Sequence, residues 1–195
     1  QKSPAAFAGK PNVIVVAGAR RKGKILDIAA QGFPDPLCGV LVDEREGAYD
    51  ELPVPECLKT RNFVKIQDGC DRFCSYCVIP YLRGRSRSRS LESAAAEILK
   101  SDALETVVTG IDISSYRDEK GRGLAGLLTA VKDADTRIRL GSLEVSLITD
   151  DFLRAAKGVK NFAPQFHLSL QSGSDRVLKS MNRHYTRAEY LARCQ

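Results

Sequence analysis

The stretch FVKIQDGCDRFCSYC, residues 63–77, joins a predicted strand directly to three closely spaced cysteines. The strand is predicted over 63–67, and Cys70, Cys74 and Cys77 follow in the loop behind it. In α/β folds, ligands gather beyond the carboxyl ends of parallel strands. We therefore expect this loop to form part of an active site, provided that the surrounding chain builds a parallel sheet.

Strand and helix patterns alternate four times from this stretch onwards. Further strands are predicted at 106–109, 137–144 and 166–170. Helices are predicted after Ser90, over 124–131, after Thr149, after Ser174 and after Thr186, which forms a capping box with Glu189. This alternation is typical of a parallel α/β sheet made of βα units. Four units cannot close an eight-stranded barrel, so we expect an open or partial barrel.

The chain before residue 62 is organised differently. A strand at 12–17, a helix at 22–31 and a short strand at 39–42 predict a small α/β unit, and an acidic, proline-bearing stretch follows it. We therefore divide the chain into part of an N-terminal domain at 1–45, a linker at 46–61 and a core at 62–195. Because the chain starts at Gln1 and stops at Gln195 inside a helical pattern, we expect a fragment of a longer protein.

Composition narrows the function classes. The chain has 195 residues, 43% of them hydrophobic, and its 30 Lys and Arg against 24 Asp and Glu give a net charge of +6. Such a surface favours polyanionic partners. The longest aliphatic runs are far too short to cross a bilayer, and the first residues lack the apolar core of a secretory signal. We expect a cytoplasmic protein with reduced cysteines and no membrane partner.

The spacing Cys70-x3-Cys74-x2-Cys77 is the strongest chemical signal in the sequence. Three thiolates at this spacing can bind one face of a cubane iron–sulfur cluster and leave its fourth iron open, because soft sulfur ligands select iron–sulfur clusters or zinc over hard cations. A structural zinc site is the alternative, and it needs a fourth ligand such as Cys57 or His167. If they do not bind a metal, the other cysteines and His167 are expected to be structural. Cys38, Cys57 and Cys194 are then buried or incidental thiols, and His167 is an inward histidine.

An arginine run follows the cysteines. Arg83, Arg85, Arg87 and Arg89 alternate with glycine and serine, and in an extended chain period two places all four guanidiniums on one side, roughly 6 to 7 Å apart. No acidic residue lies between Asp71 and Glu92, so we expect these charges to lack local carboxylate partners. This pattern favours nucleic-acid contact through phosphates. The alternative is a solvated basic loop.

The stretch FVKIQDGCDRFCSYCVIPYLRGRSRSR at 63–89 resembles the opening of the radical SAM core of the methylthiotransferase family. Three further stretches agree: VVTGIDISSY at 107–116, LGSLEV at 140–145 and LSLQSGSDRVLKSMNRHYTRAEY at 168–190. The resemblance covers about residues 12–195. It is nearest to the branch that methylthiolates N6-threonylcarbamoyladenosine at position 37 of tRNA; sister branches act on isopentenyladenosine in tRNA and on an aspartate of a ribosomal protein.

The resemblance implies a partial radical SAM (β/α) barrel preceded by part of a small α/β methylthiotransferase domain. It implies a [4Fe-4S] cluster held by the three cysteines and by S-adenosylmethionine, whose cleavage gives a 5′-deoxyadenosyl radical. The implied partners are tRNA and a reducing electron donor such as flavodoxin or ferredoxin. Residues matching the family's S-adenosylmethionine contacts are Tyr76, Gly110, Ser142, Glu144 and Gln171. A glycine lets the ligand approach the backbone closely, and a carboxylate or amide can bind ribose hydroxyls. The alternative is that these residues serve only in turns or in the approach to a helix.

The sequence departs from the family at two positions. The family holds a second [4Fe-4S] cluster with three further cysteines, one of them in a VVTGC segment that reads VVAGA here, with Ala19 in the cysteine's place. Arg117 stands where the family usually has glycine. This chain therefore does not supply the second cluster by the family's rule. Two alternatives stay open: a radical SAM enzyme without the auxiliary cluster and with other chemistry, and a zinc-stabilised RNA-binding module.

Overall fold

The computed structural model describes residues 3–7, 10–11, 13, 15–18, 22–31, 39–41, 48–52, 54 and 60–195. Its strands are β1 (Val15–Ala17), β2 (Gly39–Leu41), β3 (Arg61–Asp68), β4 (Arg87–Ser88), β5 (Glu105–Gly110), β6 (Arg137–Leu140), β7 (Ser142–Leu143) and β8 (His167–Leu168). Its helices are α1 (Lys22–Gln31), α2 (Ile79–Arg83), α3 (Leu91–Leu99), α4 (Leu124–Ala130), α5 (Asp150–Gly158), α6 (Asp175–Ser180) and α7 (Arg187–Cys194). Short 3-10 turns lie at Pro4–Ala6, Ile113–Ser115 and Val145–Leu147.

The N-terminal part contains the predicted strand–helix–strand unit. β1 and β2 pair in parallel, with Val15 opposite Gly39, and α1 connects them. Ala19, Cys38, Cys57 and half of the linker predicted at 46–61 lie outside the described residues. The division into two domains and a linker therefore stays a prediction.

The main sheet has four strands in the order β4-β3-β5-β6. β3, β5 and β6 run parallel, as the alternation of strands and helices predicts. β4, which the sequence analysis did not predict, pairs antiparallel with the end of β3 through Gln67 opposite Ser88 and Asp68 opposite Arg87. The sheet is therefore the open, mostly parallel wall of a partial barrel, with one antiparallel edge.

The single strand predicted at 137–144 is two strands, and the break has a physical cause. The backbone N–H of Gly141 donates to the carbonyl of Val108 at 2.9 Å, at the place where pairing with β5 ends. Beyond it, β7 pairs in parallel with β8, placing Ser142 opposite His167. Only two residues of the strand predicted at 166–170 form β8. The chain beyond Gly141 therefore pairs with β8 and no longer with β5.

The core lies between the main sheet and helices α3, α4 and α5. Val64, Ile66, Val108 and Ile138 alternate along their strands and are almost completely buried. They belong to one cluster with helix side chains that include Leu91, Ile98, Leu124, Leu127, Leu128 and Phe152. Complete burial of such a side chain stabilises the fold by about 1.5–3 kcal/mol. The loops that carry the site are therefore anchored to a well-packed scaffold.

Three helix starts match the capping residues predicted from the sequence. Ser90 accepts a hydrogen bond from the backbone N–H of Ser93, and Thr149 accepts one from Phe152, both at 3.2 Å. Thr186 and Glu189 form both halves of the predicted capping box. Caps of this kind each contribute about 1 kcal/mol. Within the described ranges, no helix is long and apolar enough to span a membrane.

Candidate functional site

The cysteine loop begins where β3 ends, at Gly69. Gly69 has a φ of 73°, and a Cβ there would overlap the carbonyl oxygen of Arg85, so this turn requires glycine. The loop is then tied down by backbone bonds from Cys70 N to Gly84 O at 3.1 Å and from Cys77 N to Cys74 O at 2.9 Å. The turn at Gly69 therefore directs the cysteines away from the sheet in a defined loop.

The three cysteines line one cavity of about 200 Å³. It lies beyond the carboxyl ends of β3, β5, β7 and β8, which is where ligands gather in parallel α/β folds. Four of the residues predicted to contact S-adenosylmethionine line the same cavity: Tyr76, Ser142, Glu144 and Gln171. The structure thus brings seven predicted site residues together, although Cys70 and Gln171 lie more than 90 positions apart in the sequence.

Gly110 is the predicted site residue that does not line this cavity, although its neighbour Ile111 does. A Cβ at Gly110 would lie 2.9 Å from both the carbonyl oxygen of Gln67 and Cγ2 of Ile113. The close approach that requires glycine here is therefore made by the protein's own β3 backbone. No bound molecule is needed to account for this residue.

A network of charged side chains forms one wall of the cavity and connects the predicted Glu144 with three residues that the sequence analysis missed: Arg72, Asp112 and Arg183. Arg72 Nε lies 2.6 Å from Asp112 Oδ2, and Arg72 also pairs with Glu144. Glu144 accepts further hydrogen bonds from Ser146 Oγ at 2.5 Å and from Arg183 Nη2 at 3.4 Å. Burial alone would lower the pKa of Arg72, but Asp112 and Glu144 outweigh it and raise this pKa. The position of Arg72 between two cysteines was the only sequence signal for it.

The segment after α6 braces the cysteine loop from the other side. Arg183 Nη1 donates to Cys74 Sγ at 3.4 Å, and the Cys74 side chain is buried. Asn182 Nδ2 donates to the carbonyls of Arg72 at 3.0 Å and Phe73 at 3.1 Å. Burial would lower the pKa of Arg183, but its hydrogen bonds to Cys74 and Tyr185 raise it. The loop is therefore held by a segment about 110 residues further along the chain.

The donor set of the cavity fits an iron–sulfur cluster. Cys70, Cys74 and Cys77 are free thiols on one loop, and burial raises the pKa of the Cys70 thiol. Among the residues that the structure describes, no three His, Cys, Asp or Glu side chains converge closely enough to hold a single ion. A cubane cluster does not require such convergence, because each cysteine ligates a different iron. Three soft donors beside a guanidinium suit a cluster whose charge is negative.

His167, the histidine considered as a fourth zinc ligand, does not line the cavity. It is exposed, so the prediction of an inward histidine is wrong, and its Nδ1 lies 2.9 Å from Ser142 Oγ. The reason is that β8 has only two residues and its polar position faces solvent. Cys194 is also exposed, on α7, and is therefore not a buried thiol.

The arginine run differs from its prediction. Each of the four arginines lies near a carboxylate that another part of the chain supplies. Asp68 pairs with Arg83 at 3.5 Å and with Arg87 at 3.1 Å, and Asp71 pairs with Arg85 at 3.4 Å. Arg89 pairs with Glu51 at 2.9 Å and with Glu97. The side chains of Arg87 and Arg89 are only 6% and 7% exposed. The four guanidiniums therefore do not share one exposed face, since α2 ends at Arg83 and β4 begins at Arg87. Arg85, at 67%, is the most exposed of the four.

In the comparison with protein families, residues 64–195 match the model of the Radical SAM superfamily. The threonylcarbamoyladenosine tRNA methylthiotransferase MtaB of Chlamydia pneumoniae is 46% identical over 138 residues, which are 68% of this chain and 32% of that protein. The tRNA-2-methylthio-N(6)-dimethylallyladenosine synthase of Clostridium perfringens (strain SM101 / Type A) is 37% identical over 182 residues, 83% of this chain and 40% of that protein. The chain therefore spans less than half the length of these relatives.

Among solved structures, the chain resembles the radical S-adenosylmethionine methyltransferase TsrM from Kitasatospora setae, determined with cobalamin and a [4Fe-4S] cluster bound. The TM-score is 0.54 at 15% sequence identity, and the match covers 68% of this chain and 28% of TsrM. At this identity the likeness concerns the fold alone. It agrees with the open, mostly parallel sheet of this chain.

Proposed function

This chain belongs to the radical SAM superfamily, and from that membership we propose that it is the radical-generating part of a tRNA methylthiotransferase. The observation that carries the proposal is the convergence of Cys70, Cys74 and Cys77 with Ser142 and Glu144 on one cavity. The proposed substrate is the N6-threonylcarbamoyladenosine of tRNA, because a relative named for that activity is 46% identical over 138 residues. A cytoplasmic location follows from the proposed tRNA substrate.

In this proposal Cys70, Cys74 and Cys77 would hold a [4Fe-4S] cluster, and S-adenosylmethionine would bind beside it at the same cavity. When bound, such a cluster supplies the electron that cleaves S-adenosylmethionine. Tyr76, Ser142 and Gln171 line the same cavity and would contact the bound molecule. A flavodoxin or ferredoxin is the proposed source of the electron.

Glu144 has two tasks in this arrangement. Its Oε2 accepts from Arg72 and Ser146, whereas among the described residues its Oε1 has the 3.4 Å contact with Arg183 alone. A carboxylate offers about four acceptor positions, so Oε1 has capacity left for a ribose hydroxyl. The ion pairs orient the carboxylate before the ligand arrives, which reduces the entropy lost on binding.

Contact with tRNA is proposed for the exposed part of the arginine run. Arg85 Cζ lies 4.7 Å from the ring centroid of Phe73, which belongs to the cysteine loop. The ion pair of Arg85 with Asp71 is exposed to solvent. Arg83, at 32% exposed, is a secondary candidate. Arg87 and Arg89 are buried in ion pairs and are therefore given a structural role.

A radical SAM enzyme without an auxiliary cluster is the second candidate function. Ala19 at the position of the family's cysteine favours it. The two candidates differ in their iron content. One cluster requires about four irons per chain, whereas a second cluster would raise the number to about eight.

The test is anaerobic reconstitution of the chain followed by measurement of iron, zinc and sulfide. An EPR spectrum of the reduced protein is then recorded with and without S-adenosylmethionine. About four irons per chain and a spectrum that changes on addition of S-adenosylmethionine are expected. About one zinc without labile sulfide would contradict the proposal and favour the zinc-stabilised RNA-binding module. Mass spectrometry of nucleosides from tRNA treated with the reconstituted protein then distinguishes methylthiolation from other radical chemistry.

A further inference from the structure

The segment that contains Asn182 and Arg183 has no role in the function proposed so far, yet it makes several contacts with the cysteine loop. Asn182 donates to two loop carbonyls, and the backbone N–H of Ser75 donates to the carbonyl of Met181 at 3.2 Å. Arg183 donates to Cys74 Sγ at 3.4 Å. Of the contacts in this bracing segment, the one made by Arg183 reaches a sulfur atom.

The guanidinium of Arg183 is held in place on several sides. Its side chain is 7% exposed, and its Nη2 lies 3.4 Å from Glu144 Oε1. Its Cζ lies 5.1 Å from the ring centroid of Tyr185. Tyr185 is itself fixed, because its hydroxyl oxygen lies 2.8 Å from the carbonyl oxygen of Ser169 and 2.7 Å from that of Leu170, and its single hydrogen is shared between them. A buried cation with this support has little freedom to move away from Cys74.

The second arginine of the cavity behaves differently. The Arg72 guanidinium gives its Nε and Nη1 atoms to Asp112 and Glu144. Arg72 reaches a cysteine sulfur in another way, because its backbone forms a hydrogen bond with Cys70 and its charge also acts on that thiol. The Arg72 charge is balanced by two carboxylates, whereas Arg183 divides its donors between Glu144 and Cys74. Among the described residues, Arg183 is therefore the arginine whose guanidinium donates a hydrogen bond to a cysteine sulfur.

We propose that Arg183 is a positioning residue that holds the Cys74 sulfur in place and raises the reduction potential of the cluster. The inference rests on the proposed function. Hydrogen bonds to the ligand sulfurs and the net charge nearby set the potential of an iron–sulfur cluster. Reduction adds a negative charge, which a buried guanidinium in a medium of low dielectric constant stabilises. Asn182 fixes the loop backbone and does not act on the potential.

The test compares Arg183→Gln and Arg183→Met with the control Arg176→Met, which removes an exposed arginine on the neighbouring helix α6. Each reconstituted protein is analysed for iron and sulfide, and the cluster's midpoint potential is measured by an EPR-monitored redox titration. We expect both Arg183 variants to show a more negative potential than the wild-type protein, with the larger shift in Arg183→Met. The control is expected to match the wild-type protein.

A further variant, Asn182→Gly, separates backbone support from the effect on the potential. Asn182 has a φ of 57°, which glycine adopts without strain, so this change removes both side-chain donors and preserves the turn. We expect it to lose iron several-fold faster to a chelator while its potential remains that of the wild-type protein. If the midpoint potential of Asn182→Gly shifted as much as that of Arg183→Gln, the two residues would not have the separate roles proposed here.

The possible outcomes distinguish the inference from the function. A folded Arg183→Gln protein with full iron content and an unchanged potential would overturn the inference and leave the proposed function intact. Failure of both Arg183 variants to retain iron, with their circular dichroism unchanged, would support the positioning role. A wild-type protein without iron and sulfide would overturn the proposed function and the inference together.

Discussion

The cysteine loop and the arginine run are neighbours in the sequence and differ in what the fold does with them. The three cysteines converge on one cavity, whereas the four arginines divide between buried ion pairs and the surface. Cysteine ligands seven residues apart or fewer are brought together by one short loop, so their spacing is informative. The partners of a charged side chain come from any element that packs beside it, so local sequence is a poor guide to them.

The largest expected effect is that of Cys74→Ala, which removes one of the three proposed ligands. We expect the iron content after reconstitution to fall from about four per chain to near zero, because two thiolates do not hold a cubane cluster. Iron and sulfide analysis measures this. Cys194→Ala, which removes an exposed cysteine on α7, is the matched control and keeps its iron. RNA binding by Cys74→Ala that collapsed with the cluster would mean that the metal site organises the arginine run.

The next effect concerns the buried half of the arginine run. Arg89→Met leaves Glu97, whose side chain is 9% exposed, without its cationic partner. Loss of one member of a buried pair typically costs about 3–5 kcal/mol, and the exposed Glu51 partner adds little. We expect the free energy of unfolding in urea to fall by roughly 3 kcal/mol. A change below about 0.5 kcal/mol would show instead that Arg89 behaves as a surface residue.

The exposed half of the arginine run is expected to affect tRNA binding and to leave the stability of the fold almost unchanged. Arg85→Ala removes a guanidinium that is 67% exposed, so the free energy of unfolding should change by less than about 0.5 kcal/mol. We expect tRNA affinity to fall a few-fold and the salt dependence of binding to lose about one phosphate contact. Filter binding over a series of salt concentrations measures both quantities. An unchanged salt slope would remove Arg85 from the proposed interface.

The smallest expected effect is on the pH dependence of stability. Burial would raise the pKa of Asp68, but the hydrogen bond and charge of Lys65, with help from Arg87, hold it below the ordinary value of 3.8. Because the folded-state pKa is the lower one, Asp68 stabilises the fold above about pH 4 and loses this contribution as the pH falls through its folded pKa. Urea unfolding between pH 2 and 7 should therefore show a weaker loss in acid for Asp68→Asn than for the wild-type protein. Equal slopes would mean that the ion pairs of Asp68 contribute nothing to stability.

Much of the scaffold follows from local patterns. The three parallel strands of the main sheet, the strand–helix order and the caps at Ser90, Thr149 and Thr186 match the predictions, because hydrophobic periodicity and capping depend on neighbouring residues. The antiparallel strand β4 was missed because its two residues are an arginine and a serine within a run that was interpreted as a nucleic-acid contact. The break at Gly141 was missed because it arises from the choice of β8, a distant segment, as the partner of β7.

The sequence by itself determined the position of the three cysteines: they follow at a fixed spacing behind a strand that ends at the carboxyl edge of a parallel sheet. Only the tertiary structure decided which charges surround them. Arg72 and Asp112, and Glu144 and Arg183, are pairs that lie about 40 residues apart in the chain, yet their side chains meet beside the cysteines. Long-range pairing depends on how the strands and helices pack in three dimensions. For the same reason Arg87 and Arg89 became part of the scaffold while Arg85 remained available at the surface.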